Sequence, residues 1–356
     1  AYDAALARAP DDPMAKIGAA WVKLDSGSGY ESAINDLKTL GIDRADGAPA
    51  RDPASPGRDA SGTKDAGRVT AWGSLVASGL LARLGQPSPA EAALAKARQL
   101  RLGEPRFVVR IALAELGLGQ VARAAAMRER LYFADAWQDD PLIAVLDAEL
   151  FLARGLPKEA LGALGKTEGV RASLLRARAY LDTGESRLAQ AEADRARERA
   201  PEHEEAKAYQ ALARVTARAS ERSALRTLAQ LEKSSRSPLV TFLAAEAYLS
   251  AGRTPEAMAR FARARTGHAL AYRALTEMAR HYLAAGESDK GAPLITEAVT
   301  LAPGYPPAQS LLGRYYLRGG QADKAREVLE HVVAGGQGTV EDELFLAEAL
   351  VANKAI

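Results

Sequence analysis

Histidine is the side chain that titrates near neutrality and the commonest metal ligand, so the four histidines are the first candidates for chemistry. His203, His268, His281 and His331 stand far apart, and none belongs to a His-Glu-x-x-His or comparable ligand spacing. No metal site is expected. His203 lies in the acidic turn "PEHEEAK" and reads as a solvated side chain. The stretches "GLGQ" (117–120) and "AGGQGT" (334–339) lack the preceding strand and the Gly-Lys-Ser/Thr ending that cradle phosphates. Asp139-Asp140-Pro141 reads as a helix start, its acids favoured at the positive end of the helix dipole. The absence of cysteine removes thiol nucleophiles, thiolate metal sites and disulfides. No nucleophile elbow is visible. The expectation is a chain with no catalytic residues and no cofactor.

Composition points to the elements that would carry any function. The 356 residues exceed the usual size of one compact domain, so several domains or a repeat array are expected. Ala and Leu dominate the apolar share while Val, Ile and aromatics are sparse, a bias toward helix. The net charge of +2 comes from nearly equal bases and acids and demands neither nucleic acid nor an anionic membrane. No apolar run reaches the roughly 18–20 residues of a membrane span.

"YLSAGRTPEAMARFARA", "YLAAGESDKGAPLITEA" and "YLRGGQADKAREVLEHV" begin at Tyr248, Tyr282 and Tyr316, 34 residues apart. Aligned on the Tyr, small residues recur at Ala257, Gly291 and Ala325, and large ones at Phe261, Ile295 and Leu329. Spacings of three and four place these on single helix faces. Gly252, Gly286 and Gly320 suit the left-handed position that ends a helix. Each unit therefore reads as helix, tight turn, helix. Tyr180 heads another good copy, Leu81 marks a clear unit and Leu24 the first complete one, and more worn units are marked by Gly119, Phe151 and the stretch 208–231. About nine complete units are expected, with a half-unit at each end. Ser88-Pro89-Ala90-Glu91 reads as a capping box, and Pro293 should either cost its helix a hydrogen bond or shift the helix start.

The 34-residue period, the small-x-x-Tyr column and Pro201 and Pro303 before the following units resemble the tetratricopeptide repeat (TPR). The resemblance implies an all-α, right-handed α-solenoid whose concave face is lined by the first helix of each unit. It also implies a partner-binding groove there, at Glu149, Arg178, Glu246, Arg280 and Arg314, with Arg273, Arg318 and Phe242 nearby. Three arginines in one column, Arg178, Arg280 and Arg314, could hold carboxylates bidentately. Tyr180, Tyr248, Tyr282, Tyr316, Ala257, Ala325 and Phe261 are read as packing positions. The Asn/Lys clamp of the chaperone-binding subtype is absent, since the only asparagines are Asn35 and Asn353.

The chain divides into 1–40, a truncated half-repeat plus the first repeat; 41–68, a flexible Gly/Pro/Asp/Arg-rich insertion; 69–169, degenerate repeats; 170–339, well-formed repeats; and 340–356, a capping half-repeat. The insertion lacks the apolar residues to offset its ordering entropy, and reads as a loop or, alternatively, a hinge or partner-contacting segment. The first residues, "AYDAALARAPDDP", read as the back half of a helix, which implies a trimmed N-terminus. The expected compartment is the cytoplasm, or the periplasm or a lipid-anchored location if a targeting signal was removed. Segment 83–130 carries nine Arg/Lys against four Glu but lacks interleaved aromatics, so it reads as a solvated face and not as a nucleic-acid site. The functional expectation is a non-enzymatic protein-interaction scaffold. Ala/Arg/Leu-rich usage suggests a GC-rich bacterium, where the resemblance implies assembly of pilus, secretion, motility or polarity machines. The alternative is the recruiting arm of a larger enzyme.

Overall fold

The computed structural model of the chain describes residues 11–27, 29–40, 42, 60–100, 104–131, 140–335 and 338–353, without the side chains of 60–65. Nineteen α-helices and no strand occupy the described residues. They form nine consecutive pairs and a final single helix. Unit 1 is α1 (Pro13–Ser26) and α2 (Tyr30–Thr39); unit 2 is α3 (Ala60–Arg83) and α4 (Pro87–Gln99). Unit 3 is α5 (Pro105–Gly117) and α6 (Val121–Leu131); unit 4 is α7 (Pro141–Ala153) and α8 (Pro157–Leu164). Unit 5 is α9 (Val170–Asp182) and α10 (Ser186–Arg199); unit 6 is α11 (Glu204–Thr216) and α12 (Glu221–Ser234). Unit 7 is α13 (Pro238–Ser250) and α14 (Thr254–Arg263); unit 8 is α15 (Ala271–Ala284) and α16 (Ser288–Leu301). Unit 9 is α17 (Pro306–Arg318) and α18 (Ala322–Ala334), and α19 (Val340–Ala352) ends the array. The architecture is an α-solenoid. The half-unit expected within 1–10 lies outside the described residues, as do 43–59 of the insertion.

Local chemistry sets most helix ends. Eight helices carry Pro in the first turn, where a missing N–H costs nothing. Asp12 and Asp140 cap α1 and α7 by accepting from the backbone N–H of Met14 and Leu142, each at 2.9 Å. The capping box expected at Ser88 is absent. Pro87, pre-set for the first helical position, starts α4 two residues earlier, with Gln86 as its cap and no side-chain bond. A reciprocal capping box does occur at Thr339 and Asp342. Pro293 lies inside α16 without shifting its start at Ser288, so its cost is the missing backbone hydrogen bond. Residues 60–68, expected to be irregular, are the first turns of α3. Once Val69–Arg83 is helical, each residue added upstream gains a bond, and Thr70 Oγ1 donates to the Ala66 carbonyl at 2.9 Å.

The repeat columns pack as their spacing requires. Ala257, Ala325 and Phe261 are fully buried, and the Phe242 and Phe261 rings lie 5.8 Å apart. Gly252, Gly286 and Gly320 have φ of 74°, 79° and 71°, the left-handed turn between paired helices. Tyr248 is buried with the Arg260 guanidinium 3.7 Å over its ring. Tyr180, Tyr282 and Tyr316 are half-buried, and Lys290 and Lys324 cover the last two at 5.5 Å. Tyr248, Tyr282 and Tyr316 each carry a cation from the second helix of their unit.

The array also coils back onto itself. α1 touches α9, and α6 touches α16. Arg236 before unit 7 pairs with Glu31 of unit 1 at 2.8 Å, and Arg83 of unit 2 pairs with Glu205 of unit 6. Backbones approach closely at the seam. A Cβ on Gly85 would stand 2.6 Å from the Arg236 carbonyl oxygen, and Gly85 has φ of 68°. Gly85→Ala is expected to destabilise the fold by roughly 1–3 kcal/mol, since it combines left-handed strain with a backbone clash. Native-state hydrogen exchange should show protection falling in α3 and α13 first. Unchanged protection in α13 would mean the seam contributes nothing to stability.

Candidate functional site

Coiling brings the first helices of units 1 to 8 around one central cavity of about 510 Å³. α1 supplies Trp21 and Asp25, α3 Ser78 and Arg83, α5 Arg110, and α7 Glu149. Arg171 and Arg178 come from α9, Glu205 and Tyr209 from α11, and Tyr272 from α15. Between these polar groups the walls are aliphatic, chiefly leucines of the same helices.

The charges in the wall are matched in pairs. Arg171 reaches Glu149 Oε1 at 2.6 Å, and Glu205 accepts from Arg83 and from Ser237 Oγ at 3.4 Å. The Arg110 guanidinium lies 3.8 Å over the Trp21 ring. Asp25 also lines the cavity and is open to it. Burial raises its carboxyl above the ordinary range, while Arg110, Arg171 and Arg83 pull it back down. Burial also lowers the Arg83 pKa. His203 is 3% exposed, and burial aided by the Arg83 charge pushes its pKa down to about 3. This corrects the expectation of a solvated histidine. Its acidic neighbours in sequence suggested water, but α1 and α3 close over it through Gly27 and Arg83.

A second cluster lies beside the cavity. Asp182, at the end of α9, accepts from Arg178 at 2.5 Å and from Arg273 at 2.7 and 2.9 Å. Arg178 also binds Glu246 at 2.5 Å, and Arg273 donates to the Leu152 carbonyl at 3.3 Å. Both arginines are 7% exposed. Burial alone would raise the Asp182 pKa, but Arg178 and Arg273 outweigh it and hold the carboxyl well below its usual range. Burial raises the Tyr209 and Tyr305 hydroxyls beside this cluster.

The residues expected to face the groove separate into four fates. Glu149 and Arg178 line the cavity. Phe242 does not: it is fully buried against Phe261 and the His268 ring, 5.1 Å away. Glu246 and Arg273 are committed to the ion cluster, so Arg178 and Arg273 are already neutralised from within. Arg280, Arg314 and Arg318 lie outside the cavity. Arg280 pairs with Glu277 at 2.6 Å and is 50% exposed; Arg314 pairs with Glu341 at 2.8 Å and lies 4.6 Å over the Phe345 ring. Arg318 is exposed. In the basic segment 83–130, Arg98, Arg106, Arg123 and Arg130 are exposed, and several of its cations are paired. Arg98 binds Glu115 at 2.8 Å, Arg128 binds Asp147 at 2.6 Å, and Lys96 reaches the Ile42 carbonyl at 2.8 Å. Sequence reading missed Asp25, Ser78, Arg83 and Asp182; only Asp182, four residues after Arg178, had a local clue.

Among the described residues no group of three or more His, Asp or Glu side chains could hold a metal ion, and no helix is long and apolar enough to cross a membrane. Residues 242–306 and 282–341 each match a tetratricopeptide-repeat family model. Residues 242–341 are tetratricopeptide repeats. The APC/C hetero-tetramer Cut9–Hcn1 superposes with a TM-score of 0.56 at 11% identity, over 96% of this chain and 71% of that one. The human IFIT1 dimer with m7Gppp-AAAA gives 0.49 at 15% identity, over 94% and 80%. A tetratricopeptide repeat protein from Parabacteroides merdae gives 0.37 at 16%, over 78% and 97%. At these identities the likeness is one of fold. No curated protein matches the chain.

Proposed function

We propose that this chain is a non-enzymatic interaction scaffold that holds a partner protein on the first helices of its tetratricopeptide repeats. The observation that carries the reading is the state of units 8 and 9. Arg280 and Arg318 stay open to solvent and Arg314 partly so, on α15 and α17, within the stretch that matches the family. Their present partners, Glu277 and Glu341, are carboxylates, which is the chemistry a partner's acidic segment would replace. Exposed pairs of this kind contribute only about 0–1 kcal/mol each, so exchanging them for intermolecular ones costs little. The family's general role as a protein-binding scaffold supports the same reading. The expected setting is a bacterial multiprotein machine in the cytoplasm, such as one for pilus assembly, secretion, motility or polarity.

Crosslinking capture from cells, followed by the triple variant Arg280→Glu, Arg314→Glu, Arg318→Glu, tests it. The variant should lose the captured partner while its helical circular-dichroism signal is kept. Capture that survives all three reversals would remove this face as the docking site.

A further inference from the structure

The central cavity contains three polar atoms that the solenoid itself does not use. Ser78 Oγ, Glu149 Oε2 and His203 Nδ1 are buried, line the cavity or belong to residues that do, and have no hydrogen-bond partner within the protein. Ser78 is 0% exposed, His203 3%, and the Glu149 side chain 9%. A buried polar atom without a partner costs about 1–3 kcal/mol, and an apolar residue of the same shape would serve packing better. Three such atoms around one cavity, among leucines, are what a pocket presents to a ligand with an apolar body and a few polar contacts. The volume of about 510 Å³ falls within the range of roughly 300–1,000 Å³ typical of small-molecule sites.

The charge pattern limits the ligand further. Arg83 faces Glu205, Arg171 faces Glu149 Oε1, and Arg178 faces Asp182 and Glu246. Asp25 lies within the influence of Arg83, Arg110 and Arg171. Each arginine facing the cavity thus already has a carboxylate near it, so a ligand bringing net charge would leave one buried charge uncompensated. Glu149 Oε2 can only accept, and asks for an N–H or O–H donor. Ser78 Oγ can donate or accept.

We propose that the cavity binds a small uncharged amphiphile. Its alkyl or aryl body would lie along the leucine walls, and its head would donate to Glu149 Oε2 and exchange hydrogen bonds with Ser78 Oγ and His203 Nδ1. This site is separate from the Arg280, Arg314 and Arg318 face, so either reading can fail without the other.

The test uses three probes of equal chain length and different head charge: octanamide, octanoate and octylamine. Binding is followed by calorimetry and by the shift in thermal midpoint of the full chain. Octanamide should bind saturably and raise the midpoint, with the two charged probes weaker. Glu149→Gln keeps the side-chain shape and should weaken octanamide about tenfold, as expected for one hydrogen bond to a charged acceptor. Val145→Trp, which fills the cavity, should abolish binding; Glu149→Gln keeps the test decisive if that variant does not fold. No saturable binding by any probe, tightest binding by a charged probe, or octanamide affinity unmoved in Glu149→Gln would each overturn the proposal.

Discussion

Asp182→Ala is expected to cost about 3–5 kcal/mol of folding free energy, the range for removing one partner from a buried ion pair. The carboxylate is the shared counter-ion of Arg178 and Arg273, each 7% exposed. Without it Arg178 keeps Glu246, while Arg273 keeps only the Leu152 carbonyl and the Tyr272 hydroxyl. A guanidinium cannot discharge itself by losing a proton, so the uncompensated charge stays. Urea unfolding followed by circular dichroism measures the loss, and a cost under about 1 kcal/mol would show that water reaches the cluster. Replacing Arg178, Asp182 and Arg273 together by apolar residues of similar volume should recover most of the stability, because desolvation opposes a buried ion cluster even when it is complete. The Asp182 carboxyl is held below its unfolded value. Its contribution is therefore fully present above about pH 4 and is lost only as pH falls through the folded pKa.

Stability should fall steeply with acid well before that, because two buried histidines must stay neutral. Burial, with Arg83 nearby, depresses His203 to about 3. Burial depresses His268 to about 4, against the pull of its Nε2–H bond to the Ala264 carbonyl. Leu270 N–H donates to His268 Nδ1 at 3.2 Å, which fixes the neutral ring. Unfolded histidine takes up a proton near pH 6.5. Between that value and the folded pKa the unfolded chain binds more protons, so stability rises with pH. The histidine contribution is complete above about 6.5 and lost on descent. Each ring gives a slope of about 1.4 kcal/mol per pH unit, so the pair amounts to roughly 4 kcal/mol at pH 5. Urea midpoints between pH 7.5 and 5 should show the slope, and His203→Asn or His268→Asn should remove about half of it. His281→Gln and His331→Gln, at exposed positions, serve as controls. A flat profile in the native chain would place both rings in contact with water.

The helix pairs were legible because their determinants are local. The Ala, Phe and Tyr columns recur at spacings of three and four within a unit, and Ala257, Phe261 and Ala325 are buried as those spacings require. The candidate site was legible only in part. Arg178, Arg280 and Arg314 hold equivalent places in their repeats, yet Arg178 is buried against Asp182 and Glu246 while Arg280 is half exposed. Periodicity assigns a helix face; it does not say which units are covered. Asp182 meets Arg178 across four residues, but it meets Arg273 across 91. His203 was misread for the same reason: Glu202 and Glu204 are its neighbours in sequence, Gly27 and Arg83 in space.

The seam between turns also sets a timetable. A solenoid whose units touch only their neighbours can fold outward from any point as it is made. Here the leucines of α1, α3 and α5 that face the cavity gain their opposite wall only when units 5 to 8 arrive. As the chain leaves the ribosome, unit 2 must wait for all the residues between Pro87 and Gly267 before its contact there can close. Until then its apolar side stays wet and available to wrong neighbours. Such distant closures raise the contact order of an otherwise local helical fold and slow its last step. The final units therefore complete the beginning of the protein as well as its end.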